Sequence, residues 1–137
     1  MDDCIFCRIA ADTIPAECLL NTESAFAFMD IGPLAEGHCL LIPKNHYETV
    51  DQMPADEAAA VLSVLPALVR AVQTVTGCEG VNVLQNNGRA ANQLVPHVHF
   101  HIIPRSSGGA WSFDWPAGEY AEGRMAELGE SIRQALT

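Results

Sequence analysis

The sequence predicts an α+β domain with a largely antiparallel sheet. Strand-like segments group around one long apolar-periodic stretch, they do not alternate strictly with helices, and residues 95–103 alternate in character with period two. At 137 residues, 49% of them apolar, the chain is expected to form one domain over residues 1–137 and to escape wholesale disorder.

The elements follow in order. Residues 4–10 read as one helical turn with Ile5, Phe6 and Ile9 as its apolar members. Residues 18–21 and 24–29 read as two short strands about a polar turn, Asn21-Thr22-Glu23, and Asp30-Ile31-Gly32-Pro33 stops the second. His38 to Pro43 is an apolar run consistent with a central strand. The clearest helix runs from near Pro54 to Gly77. Proline suits its first position, Asp56 and Glu57 suit the positive end of the dipole, and Gly77 suits the C-cap. Val61, Leu65, Leu68, Val72 and Val75 mark its buried face, and Pro66 predicts a bend inside it. Residues 80–86 form a strand, Asn86 to Ala91 a polar loop, and Ser106 to Gly118 a second loop. A final helix from about Tyr120 is marked by Met125, Leu128, Ile132 and Leu136.

Charge narrows the function. Seventeen acidic residues against seven Lys plus Arg leave a net charge of −10, which argues against a nucleic-acid polymer or an anionic membrane as main partner. A small anionic ligand stays open, because it needs only a local cluster, and Lys44, Arg89 and Arg105 lie near the histidine-rich segments. No run of about 18 apolar residues is present, so no membrane span is expected. The stretch MDDCIFCRIA has acids where a signal peptide has cations. A reducing, cytoplasmic setting is expected, with the five cysteines as thiols.

The informative segment is Pro96-His97-Val98-His99-Phe100-His101-Ile102-Ile103-Pro104. On a strand, His97, His99 and His101 share one face, spaced by roughly 6.6 Å, while Val98, Phe100 and Ile102 face the core. Two chemistries fit such a row: metal chelation, or nucleophilic catalysis at phosphorus by a neutral imidazole with its neighbours holding the developing charge. The second needs one ring nitrogen tied by a hydrogen bond so that the other faces substrate. Cys4-x-x-Cys7 is separately half of a common zinc arrangement; Cys18, Cys39 and Cys78 sit in apolar contexts and read as buried small hydrophobes.

Three blocks in order, CIFCRIA at 4–10, AFMDIGPLAEGHCLLIPKNH at 27–46 and NNGRAANQLVPHVHFHIIPR at 86–105, resemble the histidine-triad (HIT) nucleotide hydrolases and transferases. The resemblance implies a HIT-like sheet with one long helix and a C-terminal helix, the sheet extended across a homodimer. It implies a small-molecule nucleotide as ligand and a nucleotidyl-histidine intermediate on His99. The catalytic set would be His99, His101, His97 and Gln93, with His101 and His38 flanking the phosphate. Gln93 and Asn86 would bond the phosphate or leaving group. Asp30 would hold the ribose, and Phe6, Ile9, Phe28 and Ile31 would line the base pocket. Some bacterial members hold a structural zinc, and the matching ligands here are Cys4, Cys7, His46 and His97.

The activity so implied is hydrolysis of purine nucleoside phosphoramidates or related conjugates. Dinucleoside polyphosphate hydrolysis and nucleotidyl transfer are the alternatives within the family, and a nucleotide-binding scaffold is the alternative outside it. Two positions depart from the pattern: Leu94 stands where Hint-type members carry a hydroxyl, and Asn92 follows Ala91 where many relatives have glycine.

Overall fold

The computed structural model describes residues 3–109, 112 and 114–136. A short helix α1 (Ile5–Ala10) is followed by strands β1 (Cys18–Asn21), β2 (Ala25–Met29) and β3 (Cys39–Pro43), helices α2 (Ala55–Leu62) and α3 (Leu65–Thr76), strands β4 (Gly80–Gln85) and β5 (Phe100–Arg105), and helix α4 (Arg124–Ala135). The five strands form one sheet in the order β1-β2-β3-β5-β4, and each neighbouring pair is antiparallel. The α+β class and the central place of β3 are as expected.

Alternation along the strands divides the interior into two layers. Ala25, Ala27, Cys39, Leu41, Phe100 and Ile102 join Val98 and pack with Val61, Leu68 and Val72 of α2 and α3. Phe26, Phe28, Leu40 and Ile42 join Phe6 and Ile9 of α1 on the other face. Because β3 has an apolar residue on both faces, all five of its residues are buried.

Several details differ from expectation. The helix from Pro54 is two helices, broken at Ser63 and Val64, and Pro66 sits in the first turn of α3. A proline there removes a donor that has no partner anyway, so it starts a helix rather than bending one. The span Ala55–Thr76 does have the length and hydropathy of a membrane-crossing segment, contrary to the sequence reading, but Val61, Leu68 and Val72 pack it on the sheet. Its far end escapes that packing, so Val75 is exposed.

The histidine strand is also shorter than expected. Pairing begins at Phe100, and the Val98 N–H donates to the Tyr47 carbonyl instead of to a ladder. Its neighbour β3 ends at Pro43, which has no N–H to extend the pairing. Among the cysteines expected to be buried, Cys39 is, but Cys18 on the sheet-edge strand β1 is exposed and Cys78, just after the α3 C-cap, is half-buried. Helix α4 starts four residues later than expected, and its apolar Met125 and Ile132, with Leu136 at its C-cap, stay exposed. Residues 110, 111 and 113 of the expected loop lie outside the described residues.

Gly37 sets the entry to β3. Its φ is +100°, and a Cβ there would meet Thr76 Cγ2 at 2.6 Å and Pro104 Cγ at 3.4 Å. Gly37→Ala therefore combines backbone strain with a clash against the Thr76 side chain at the end of α3, and is expected to lower unfolding stability by about 2–3 kcal/mol. Urea unfolding measures this; an unchanged midpoint would show that the chain relaxes there freely.

Candidate active site

A cavity of about 490 Å³ opens between α1, the end of β2 and the start of β5. Phe6, Ile9, Phe28 and Ile31 line it, together with Asp30, His38, His99 and His101. These eight residues come from four separate stretches of chain. α1 contributes because its Cys4 N-cap turns Phe6 and Ile9 onto the sheet. Asp30 contributes because the chain reverses after Met29, its Oδ1 accepting the Gly32 N–H at 2.8 Å.

The histidines are arranged as a definite set of donors and acceptors. His99 Nδ1 lies 2.7 Å from the His97 carbonyl oxygen. A carbonyl only accepts, so Nδ1 carries the proton and Nε2 keeps its lone pair. His38 has the opposite arrangement: its Nδ1 accepts the Leu34 N–H at 3.0 Å, so its Nε2 carries the proton. That Nε2–H donates to His101 Nδ1 at 3.0 Å, with Asp30 Oδ2 at 3.4 Å from the same nitrogen. His101 Nε2 is then left as an N–H donor. The cavity wall thus presents one imidazole lone pair beside one imidazole donor, with ring centroids 4.9 Å apart. The same reasoning disfavours a metal among Asp30, His38 and His101, because a metal on His38 Nε2 would displace its proton onto Nδ1, against the Leu34 N–H.

Burial depresses all three imidazoles. His101 is pushed down to about 4, by burial first and then by His99 and His38, with Asp30 opposing. His99 is lowered by burial, against its bond to the His97 carbonyl. His38 is lowered by burial, against Asp30. All three are neutral near neutrality, which is the state the donor and acceptor pattern requires.

His97 belongs elsewhere. Its Nε2–H donates to the Pro43 carbonyl at 2.9 Å, so Nδ1 keeps its lone pair. That Nδ1 lies 3.3 Å from Cys4 Sγ, 3.5 Å from Cys7 Sγ and 3.2 Å from His46 Nδ1, and Cys7 Sγ lies 3.3 Å from His46 Nδ1. Tetrahedral zinc with bonds of about 2.3 Å to sulfur and about 2.05 Å to nitrogen requires S···N and N···N separations of roughly 3.6 and 3.3 Å. Three S···N separations and the N···N separation thus lie within about 0.3 Å of those of such a tetrahedron. Without a cation, burial and the adjoining Cys4 push the Cys7 thiol up to about 11. Asn45 and Tyr47, on either side of His46, both donate to the Glu57 carboxylate of α2, which holds His46 in place.

A sequence profile of the HIT domain matches residues 11–108. The chain is a HIT protein. It is 43% identical over 134 residues to an adenosine 5'-monophosphoramidase of Schizosaccharomyces pombe, covering 97% of this chain and 98% of that one. A HIT-family crystal structure from Bacillus subtilis superposes with a TM-score of 0.94 at 35% identity, covering 98% of both chains. A zinc-bound histidine triad protein from Mycobacterium smegmatis superposes with a TM-score of 0.76 at 29% identity, covering 99% of both.

Besides His97, two residues implied by the HIT resemblance do not line the cavity. Gln93 is buried, its Oε1 accepts the Gly88 N–H at 2.7 Å, and its Nε2 donates to the Glu48 and Val95 carbonyls at 2.6 and 3.1 Å. These three hydrogen bonds fasten the loop. Asn86 does not line the cavity either. Sequence reasoning missed the partners that set this HIT protein's tautomers, namely the Leu34 N–H and the carbonyls of Pro43 and His97. These are main-chain groups that no residue pattern displays. Glu57 was visible only as a helix-dipole acid; its spacing from Asn45 and Tyr47 gave no sign of the clamp.

Proposed function

We propose that the protein hydrolyses purine nucleoside phosphoramidates and related nucleotide conjugates through a nucleotidyl-histidine on His99. The pairing of a lone pair on His99 Nε2 with an N–H on His101 Nε2 carries this reading. His99 Nε2 attacks the α-phosphorus and the P–N bond breaks. The bonding pair goes to the leaving amine, which takes the His101 proton. His101 Nε2 recovers its proton from the water of the next step, while the His38 Nε2–H stays in its hydrogen bond to His101 Nδ1. Water then attacks the same phosphorus and frees His99. The monophosphoramidase name of the fission-yeast relative supports the substrate class.

The apolar box of Phe6, Ile9, Phe28 and Ile31 suits a purine, and Asp30 suits ribose hydroxyls. No Lys or Arg lines this cavity among the described residues, so a polyphosphate tail would find no countercharge there, whereas a neutral amine needs none. This favours phosphoramidates over dinucleoside polyphosphates, and parallel assays on both substrate types test the choice. Higher turnover of the polyphosphate would reverse it.

The reading includes a structural zinc on Cys4, Cys7, His46 and His97, since four protein ligands leave no open position. Five free cysteines suit a reducing cytoplasm. It also includes a homodimer that continues the sheet, supported by exposed Val83 on the edge strand β4 and Val75 on α3. Light scattering reads the mass, and a monomer at micromolar concentration would remove this part.

The pH dependence follows from the depressed imidazoles. Protonating His99 removes the attacking lone pair, and its folded pKa lies below 6.5. The rate constant kcat/KM is therefore expected to fall with acid to a half-maximal point below pH 6.5. A half-maximal point at 6.5 or above would contradict the burial argument.

A further inference from the structure

The nucleophile sits just before the sheet takes hold of its strand. β5 pairs with β3 and β4 from Phe100 onward. One residue earlier the support comes from elsewhere. The peptide group between His97 and Val98 is held at both ends: its N–H donates to the Tyr47 carbonyl at 2.8 Å, and its carbonyl accepts His99 Nδ1–H at 2.7 Å. A peptide group is planar, so turning one end turns the other. The Tyr47 carbonyl therefore aims the carbonyl that keeps the His99 lone pair on Nε2. Tyr47 is itself fastened from α2. Its Oη donates to Glu57 Oε2, and Asn45 Nδ2 donates to Glu57 Oε1. A carboxylate accepts on both oxygens and so holds two donors at once, whereas an amide would turn its own NH₂ against one of them. The Tyr47 ring packs on the core layer that includes Val61 of α2, so the clamp is anchored to a packed helix.

We infer that Glu57 is a positioning residue for the nucleophile, acting through Tyr47 and the His97–Val98 peptide. The inference rests on the phosphoramidase reading, since it needs His99 to be the attacking group. Without the carboxylate, Tyr47 loses its tether and the peptide is free to turn. Its carbonyl then leaves Nδ1, and His99 shifts its proton to Nε2, where no lone pair remains for attack. Glu57, Tyr47 and Val98 do not line the nucleotide cavity, so binding is spared while the chemical step slows.

The test compares wild-type protein with Glu57→Gln, Tyr47→Phe and the double variant, using adenosine phosphoramidate as substrate. Tyr47→Phe keeps the packed ring, and it reads the same clamp should Glu57→Gln fold poorly. Each single variant is expected to lose about tenfold in kcat with KM unchanged within a factor of about two. The double variant should lose no more than the worse single one, because both changes break one path. Nitrogen NMR of labelled histidine gives a second readout: the His99 ring should shift from the Nδ1–H tautomer toward the Nε2–H tautomer in all three. A kcat within a factor of about two of wild type in both folded single variants would overturn the inference, as would losses that multiply in the double variant. A loss that vanishes in samples carrying one zinc per chain would overturn it too, by assigning the effect to the metal cluster through His46. These results would leave the phosphoramidase reading intact. No turnover by the wild-type protein would overturn that reading, and the inference with it.

Discussion

His99→Ala abolishes turnover of adenosine phosphoramidate, with a loss of at least about 10⁴-fold in kcat. The size follows from the role: without Nε2 there is no covalent path, and what remains is binding plus the donors of the wall. The imidazole packs edge-on against Phe6 and His101, with centroids 5.1 and 4.9 Å away. The variant leaves a cavity, so its melting temperature is measured beside its rate to separate lost chemistry from lost fold. His101→Ala, which removes a proton donor but not the nucleophile, should cost about 10²–10³-fold. A folded His99→Ala protein with more than a few per cent of the wild-type rate would remove His99 from the mechanism.

Loss of the metal centre is the second large effect. The thiols of Cys4 and Cys7 join α1 to His46 after β3 and to His97 before β5, so one ion would tie three distant stretches of chain. At free zinc about a thousandfold above the dissociation constant, such a site adds about 4 kcal/mol of stability. The purified protein is expected to hold one zinc per chain, and chelation or Cys4→Ser with Cys7→Ser is expected to lower Tm by roughly 10 °C. Because α1 also supplies Phe6 and Ile9, nucleotide affinity should fall with the metal. Zinc well below one per chain, or an unchanged Tm after chelation, would contradict the assignment.

Much of the cavity was legible because it follows from period and type. Alternation put Val98, Phe100 and Ile102 in one core layer and left the histidines on the other face, and the structure keeps both sides of that division. What the alternation could not show is that the row divides. His97 turns to the thiols because Pro43 offers a bare carbonyl where a ladder would have continued. Pro66 was read as a kink because the sequence does not show where a helix has already ended. Val75 and the α4 residues Met125 and Ile132 have the spacing of a buried stripe, yet among the described residues they stay exposed. Gln93 shows the converse: its residue type suits phosphate, but three main-chain groups already occupy its amide.

The central claim is that phosphorus passes through a covalent bond to His99 Nε2, and the stereochemical course tests it most directly. An adenosine phosphoramidate made chiral at its α-phosphorus by sulfur substitution is hydrolysed in isotopically labelled water, and the configuration of the product is determined. Two successive in-line displacements predict net retention. Net inversion would mean that water attacks directly, and would contradict the nucleotidyl-histidine.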